Sequence, residues 1–250
     1  MKNFAIALLA LYSALASAAA QNIEIALTDD RVAVDTGFAG ARLTLFGAVT
    51  GIDDPSSFDI ISVIRGPEAQ FHVRQMKKEN LIWTPGPAHL IDNAPGLYIT
   101  YATRPVDDIA PLPDQAQYRL DADYLDIGVT AHATASSDDA QLFRSAFLSE
   151  AEALGLYGSR VGGIQFKKGA LFTINARLPA NTPVGEYDVA VYLFRNGEMI
   201  DSDSTALGVN RVGLEQRIYD FAHHRPVSYG FFCVALALIA GWLASLAFRK

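Results

Sequence analysis

Between Val227 and Phe248 the chain runs for 22 residues with no Asp, Glu, Lys, Arg or His. As an α-helix this stretch is about 33 Å long, matching the hydrocarbon thickness of a bilayer. Pro226 stands at its start, where a missing N–H costs nothing. Tyr229 and Trp242 lie toward its two ends, as interfacial aromatics do. The chain is therefore expected to hold one transmembrane helix over residues 227–248. The first twenty residues carry a second apolar signal of another kind. Lys2 forms a short basic region, Phe4 to Ala16 is apolar, and Ala16-Ser17-Ala18 and Ala18-Ala19-Ala20 are both small-residue cleavage sites. Residues 1–20 are expected to be a signal peptide removed before Gln21, the alternative being an uncleaved anchor, and both place the middle of the chain outside. Basic residues alone do not set the orientation, since Arg211, Arg217 and Arg225 precede the span and Arg249 and Lys250 follow it. The signal segment outweighs them and predicts a cytoplasmic C-terminus.

All 27 acidic residues lie between these ends. Of the 20 basic ones, Lys2, Arg249 and Lys250 lie outside, which leaves 17 and a net charge of −10 for the exported part. A surface of that sign argues against direct binding to nucleic acid or to anionic lipid. The single cysteine excludes a disulfide framework and multi-cysteine metal or redox motifs, and it lies inside the span. The exported part must be held by core packing alone.

From Gln21 to Thr103 short alternating apolar runs are split by turn residues. Ile23, Ile25 and Leu27 share one strand face, and Val32 and Val34 follow. Leu43, Leu45 and Gly47 alternate with Thr44, Phe46 and Ala48. After the Asp53–Ser57 turn, Phe58 to Arg65 is a β-branched strand closed by Gly66-Pro67. Residues 71–74, 81–84 and 97–102 read as further strands. The expected fold class is mainly β, with two immunoglobulin-like β-sandwich modules over 21–103 and 161–210. Between them, 104–160 reads as an irregular connector punctuated by Pro105, Pro111 and Pro113. It carries an amphipathic helix over 137–154, with Ser136 and Asp139 at a capping-box spacing and Phe143, Phe147, Ala151 and Leu154 on one face. Gly155 is expected as its left-handed terminator, followed by Leu156. In the second module, Tyr187, Val189, Val191 and Leu193 alternate with Asp188, Ala190, Tyr192 and Phe194. The latter set is too apolar for a wetted face. Asn196-Gly197 is a hairpin turn. Leu214, Ile218 and Phe221 share a face in an expected juxtamembrane helix over 211–226.

Few residues suggest chemistry. His72, His89 and His132 are scattered, and the adjacent His223 and His224 point about 100° apart on a helix, a poor chelating geometry. Asp121, Asp123 and Asp126, or Asp201 and Asp203, imitate calcium-loop spacing only in part; turn and capping roles account for them more simply. Residues 158–163 are Gly-rich without the P-loop lysine pattern and are expected as a tight turn between helix and strand. Trp83 is expected in the core at a strand end, the alternative being a loop aromatic presented to a partner. Within the span, Ala237, Ala240, Gly241 and Ala244 form a small-residue stripe that would let another helix approach closely, although plain span composition produces such stripes too. No catalytic, cofactor-binding or metal residues are assigned.

Phe46-Gly47-Ala48, Val63 to Pro67, Trp83, Arg104-Pro105 and Pro183 to Tyr187 occur in a suggestive order. The most specific stretch is Phe221-Ala222-His223-His224-Arg225-Pro226 through Tyr229-Gly230 to Gly241-Trp242-Leu243. In these features the chain resembles a family of alphaproteobacterial transmembrane proteins with no assigned activity, from about Ile23 to Phe248. The resemblance implies an inner-membrane protein with a periplasmic domain, and a membrane partner such as a sulfite or organic-anion exporter. The expected function is that of a non-enzymatic interaction or accessory protein. The alternatives are a periplasmic ligand- or metal-binding receptor and, with least support, a tethered hydrolase. A β-sandwich is neutral among the three.

Overall fold

The computed structural model describes residues 21–51, 57–79, 82–130, 137–167, 170–213 and 221–247. The signal segment, most of the Asp53–Ser57 turn, His132, Ser136, Leu214 and Ile218 lie outside the described residues. Among the described residues thirteen strands form three sheets. The first sheet runs in the order β1 (Asn22–Leu27), β3 (Ala41–Thr50), β11 (Leu171–Leu178), β10 (Ile164–Phe166), all antiparallel. The second runs β2 (Arg31–Val34), β13 (Glu198–Arg211), β12 (Gly185–Arg195), β4 (Asp59–Arg65), β7 (Tyr98–Ala102), β9 (Tyr157–Val161). In it the β2–β13 and β7–β9 pairs are parallel. The third, an arm, runs β5 (Glu68–Glu79), β6 (Ile82–Pro95), β8 (Gly128–Thr130).

The two large sheets share one core that includes Leu43, Leu45, Phe172 and Ile174 from one and Ile60, Ile64, Val191 and Phe194 from the other. The alternation at Leu43, Leu45 and Gly47 is that of a half-buried strand, and it is met. The anticipated cover on both faces of β12 is also met. Ala190 and Phe194 are buried, and Tyr192 meets Tyr118 of a connector helix at 5.5 Å between ring centroids. Asn196-Gly197 makes the β12–β13 turn with φ of 50° and 86°, the left-handed pair that a two-residue hairpin needs.

Three expectations are corrected. The fold is mainly β, but 21–103 and 161–210 are not separate sandwiches. β3 pairs with both β1 and β11, and β4 with both β7 and β12, so strands of both segments interleave in each large sheet. The physical reason is burial: the five central residues of β4 are all buried, and such a strand needs a neighbour on each side and cover on each face. The connector is not irregular either. It holds α1 (Val106–Ile109), α2 (Leu112–Tyr118) and a 3-10 turn at Ala122–Tyr124 before β8. Pro105 and Pro111 are the N-caps of α1 and α2, and Pro113 lies in the first turn of α2. These prolines start helices because the first turn has no N–H bond to lose. Finally, the Gly-rich 158–163 stretch is mostly strand. α3 (Ser137–Ala153) belongs to the crossover from β7 to β9, the kind of connection that parallel neighbours require.

α4 (Pro226–Ala247) is the apolar C-terminal helix. Its window Pro226–Ala244 has a mean hydropathy of 2.0, and none of it is buried by the rest of the chain. Residues 221–224 are helical, and bonds from Arg225 N to Phe221 O and from Tyr229 N to Arg225 O join them to α4.

Candidate functional site

The helix that the sequence predicted builds the most site-like concavity. Phe143, Phe147 and Ala151 of α3 are buried, as their spacing requires. The helix ends in a Schellman motif: Leu156 N donates to Ala151 O and Gly155 N to Glu152 O, with Gly155 at φ 70°. That ending turns Leu154 out of the buried face to 51% exposure, against expectation, and tucks Leu156 under the helix instead. The arm supplies the facing wall. Phe71 meets Phe147 at 5.0 Å, and Phe147 meets Tyr157 edge-on at 5.6 Å. Tyr157 is held by its hydroxyl donating to Pro95 O at 2.7 Å, and burial pushes its phenol up.

Between these walls lies a groove of about 420 Å³. Its apolar lining is Phe71, Val73, Phe147, Ala151, Leu154 and Leu156, and His72, Arg74 and Glu150 also border it. β5 is an edge strand, with no strand on its other side among the described residues. Apolar recesses of this volume with a few polar groups nearby have the character of ligand- or peptide-binding sites and of active sites alike. The α3 pattern was readable in the sequence; the opposing wall was not, because it comes from residues far away in the chain.

Other polar groups are committed to structure. Asp59 accepts from Thr103 Oγ1 at 2.8 Å, Arg104 Nε at 2.9 Å and Arg104 Nη2 at 2.5 Å. The Arg104 hydrogen bonds, aided by Thr103, hold its carboxyl below the usual range despite partial burial. This cluster ties the start of β4 to the end of β7. Asp201 and Asp203, weighed above as partial calcium ligands, accept from Ile23 N at 2.8 Å and Ile25 N at 3.0 Å. They satisfy the outward N–H groups of edge strand β1 and so stitch one large sheet to the other. Asp121 accepts from Asp123 N at 3.2 Å and caps the 3-10 turn. His89 is buried and stacked on Phe143 at 3.8 Å, its Nδ1 without a partner. Among the described residues no three potential ligands gather in a metal-binding group.

Trp83 is not in the core. It is 61% exposed near the tip of the β5–β6 hairpin, with Met76 at 51% and Ile82 at 67%. The hairpin outruns the sheet that would have covered them. Ala237, Ala240, Gly241 and Ala244 lie on α4, all exposed, and a Cβ added at Gly241 would meet nothing within 4 Å. Among the described residues no other element covers that stripe.

Among the described residues one apolar helix, left uncovered by the rest of the chain beside a mainly β domain, fits a single-pass membrane protein. The chain belongs to the family described as "Putative transmembrane protein (Alph_Pro_TM)", whose model matches residues 22–250. This bears out the alphaproteobacterial resemblance read from its motifs. No curated protein matches the chain. Among solved structures, domain 1 of VCBP3 from Branchiostoma floridae is similar over 77% of this chain and 97% of that one, at 8% identity and a TM-score of 0.27. Likeness at that level carries no argument about fold or function.

Proposed function

We propose that this protein is a non-enzymatic accessory subunit of the inner membrane, its β-sandwich in the periplasm and its C-terminus in the cytoplasm. Its α3–β5 groove docks an apolar segment of a membrane partner. The observation that carries this reading is the juxtaposition of the groove's apolar lining with the unpaired edge of β5. An extended segment can use both, main chain to main chain at the edge and side chains into the recess. Arg74 and Glu150, which also border the groove, would add orientation through their opposite charges. The Ala237, Ala240, Gly241 and Ala244 stripe is the intramembrane part of the same contact, and an anion exporter is a fitting partner class.

A photo-crosslinking residue at Leu154 in the full chain, in native membranes, tests the proposal. The expected result is an adduct with one membrane protein. It should be lost on Ala146→Trp, which fills the groove from an exposed position, and weakened by Ala237→Leu with Gly241→Leu. An adduct that survives Ala146→Trp, or none at all, overturns it. The groove's volume also fits a small amphiphile, the receptor reading. That reading expects native mass spectrometry of the purified chain to retain a small molecule that Ala146→Trp expels.

A further inference from the structure

The outer half of the β5–β6 hairpin belongs neither to the sandwich nor to the groove. β8 covers β6 only at Leu90, Ile91 and Asp92, and aromatic contacts tie α3 to the arm at Phe71 and His89. From Arg74 outward the pairing is two-stranded, and Arg74 to Glu79 extends it by about 17 Å. Two-stranded ribbons are marginal in water, yet this one exposes Met76, Ile82 and Trp83.

The register decides what such a tip can meet. Lys78 stands opposite Trp83 and Met76 opposite Pro85 on one face, while Lys77 stands opposite Thr84 and Glu79 opposite Ile82 on the other. Each face thus carries a large apolar side chain and a lysine. A protein surface would cover one face of the ribbon and leave the other apolar face wet. A fluid apolar medium surrounds both. Tryptophan favours the bilayer interface, and lysine stems lie in apolar surroundings while their ammonium groups reach headgroup phosphates. Neither Lys77 nor Lys78 has an ion-pair partner among the described residues. In a domain of strongly negative net charge, the adjacent Lys77 and Lys78 make a local basic exception at the place where the apolar residues are.

We infer that the β5–β6 tip inserts into the headgroup region of the bilayer that α4 spans, giving the domain a second, peripheral membrane contact. The tether makes a weak insertion effectively intramolecular. The inference rests on the membrane span and is independent of the groove.

The sequence has two tryptophans, so Trp242→Phe leaves Trp83 as the sole fluorophore in the full chain. The protein is placed in nanodiscs of phosphatidylcholine, with and without phosphatidylglycerol. Trp83 emission is expected to be blue-shifted, severalfold less quenched by acrylamide than free tryptophanamide, and quenched by lipids spin-labelled near the headgroup. Phosphatidylglycerol should strengthen that lipid quenching, and Lys77→Glu with Lys78→Glu, at exposed positions, should cancel the gain. Acrylamide quenching equal to that of tryptophanamide, without lipid quenching, overturns the inference. So does shielding that arises only when a protein partner is added, or lipid quenching indifferent to both the lysines and phosphatidylglycerol. None of these outcomes alters the crosslink expected at Leu154.

Discussion

At Asp59 the carboxylate accepts hydrogen bonds from Thr103 and Arg104, and those donors stabilise the charged form more than partial burial opposes it. Its folded-state pKa lies below its unfolded one, so the stability it contributes is complete above the unfolded carboxylate value, about pH 4, and disappears as pH falls through the folded value. Asp59→Asn should therefore lower the urea midpoint at neutral pH and leave a smaller further loss between neutral and acid pH than the parent shows. Equal acid losses in both proteins would mean that Arg104 does not hold this carboxylate. The buried phenols behave in the opposite sense. Burial pushes Tyr98, Tyr157 and Tyr187 up, and their hydroxyls donate to the carbonyls of Arg119, Pro95 and Pro183. Their contribution is present below about pH 10 and fades above it, as the unfolded chain ionises first.

At the scale of elements, α3 joins the sandwich to the arm, with Phe147 touching Phe71 on one side and Tyr157 on the other. Its C-terminal stop sets which leucine is buried, because the turn at Gly155 decides that Leu156 goes in and Leu154 stays out. Nothing lies within 4 Å of a Cβ at Gly155, so Gly155→Ala isolates the backbone cost of a left-handed residue. That cost is about 1–2 kcal/mol. Chemical denaturation should register it, with the slope of the transition unchanged; a neutral result would mean that the helix can end elsewhere. The period of the α3 face and its terminator were legible because both are local. Leu154 was misjudged because its spacing continues the helix one residue past the point where the chain turns away.

For the whole molecule, interleaving is the governing fact. A chain ending at residue 160 lacks β10 to β13, so β3 loses one neighbour and β4 loses β12. A fragment of residues 21–160 should consequently show no cooperative unfolding and little near-ultraviolet dichroism. A sharp thermal transition in that fragment would restore the two-module view. The sequence by itself determined the quantities that neighbouring residues control. These are the alternation that makes β3 and β12 strands, the Asn196-Gly197 turn, the α3 face with its Gly155 stop, and a 22-residue apolar span of membrane-crossing length. Tertiary structure alone decided which strand lies beside which, that Trp83 faces outward, and that Asp201 and Asp203 bond to Ile23 and Ile25 at a separation of 178 residues. The reason is physical: propensity and periodicity act over a few residues, whereas burial and hydrogen-bond partnership depend on which distant segment arrives alongside.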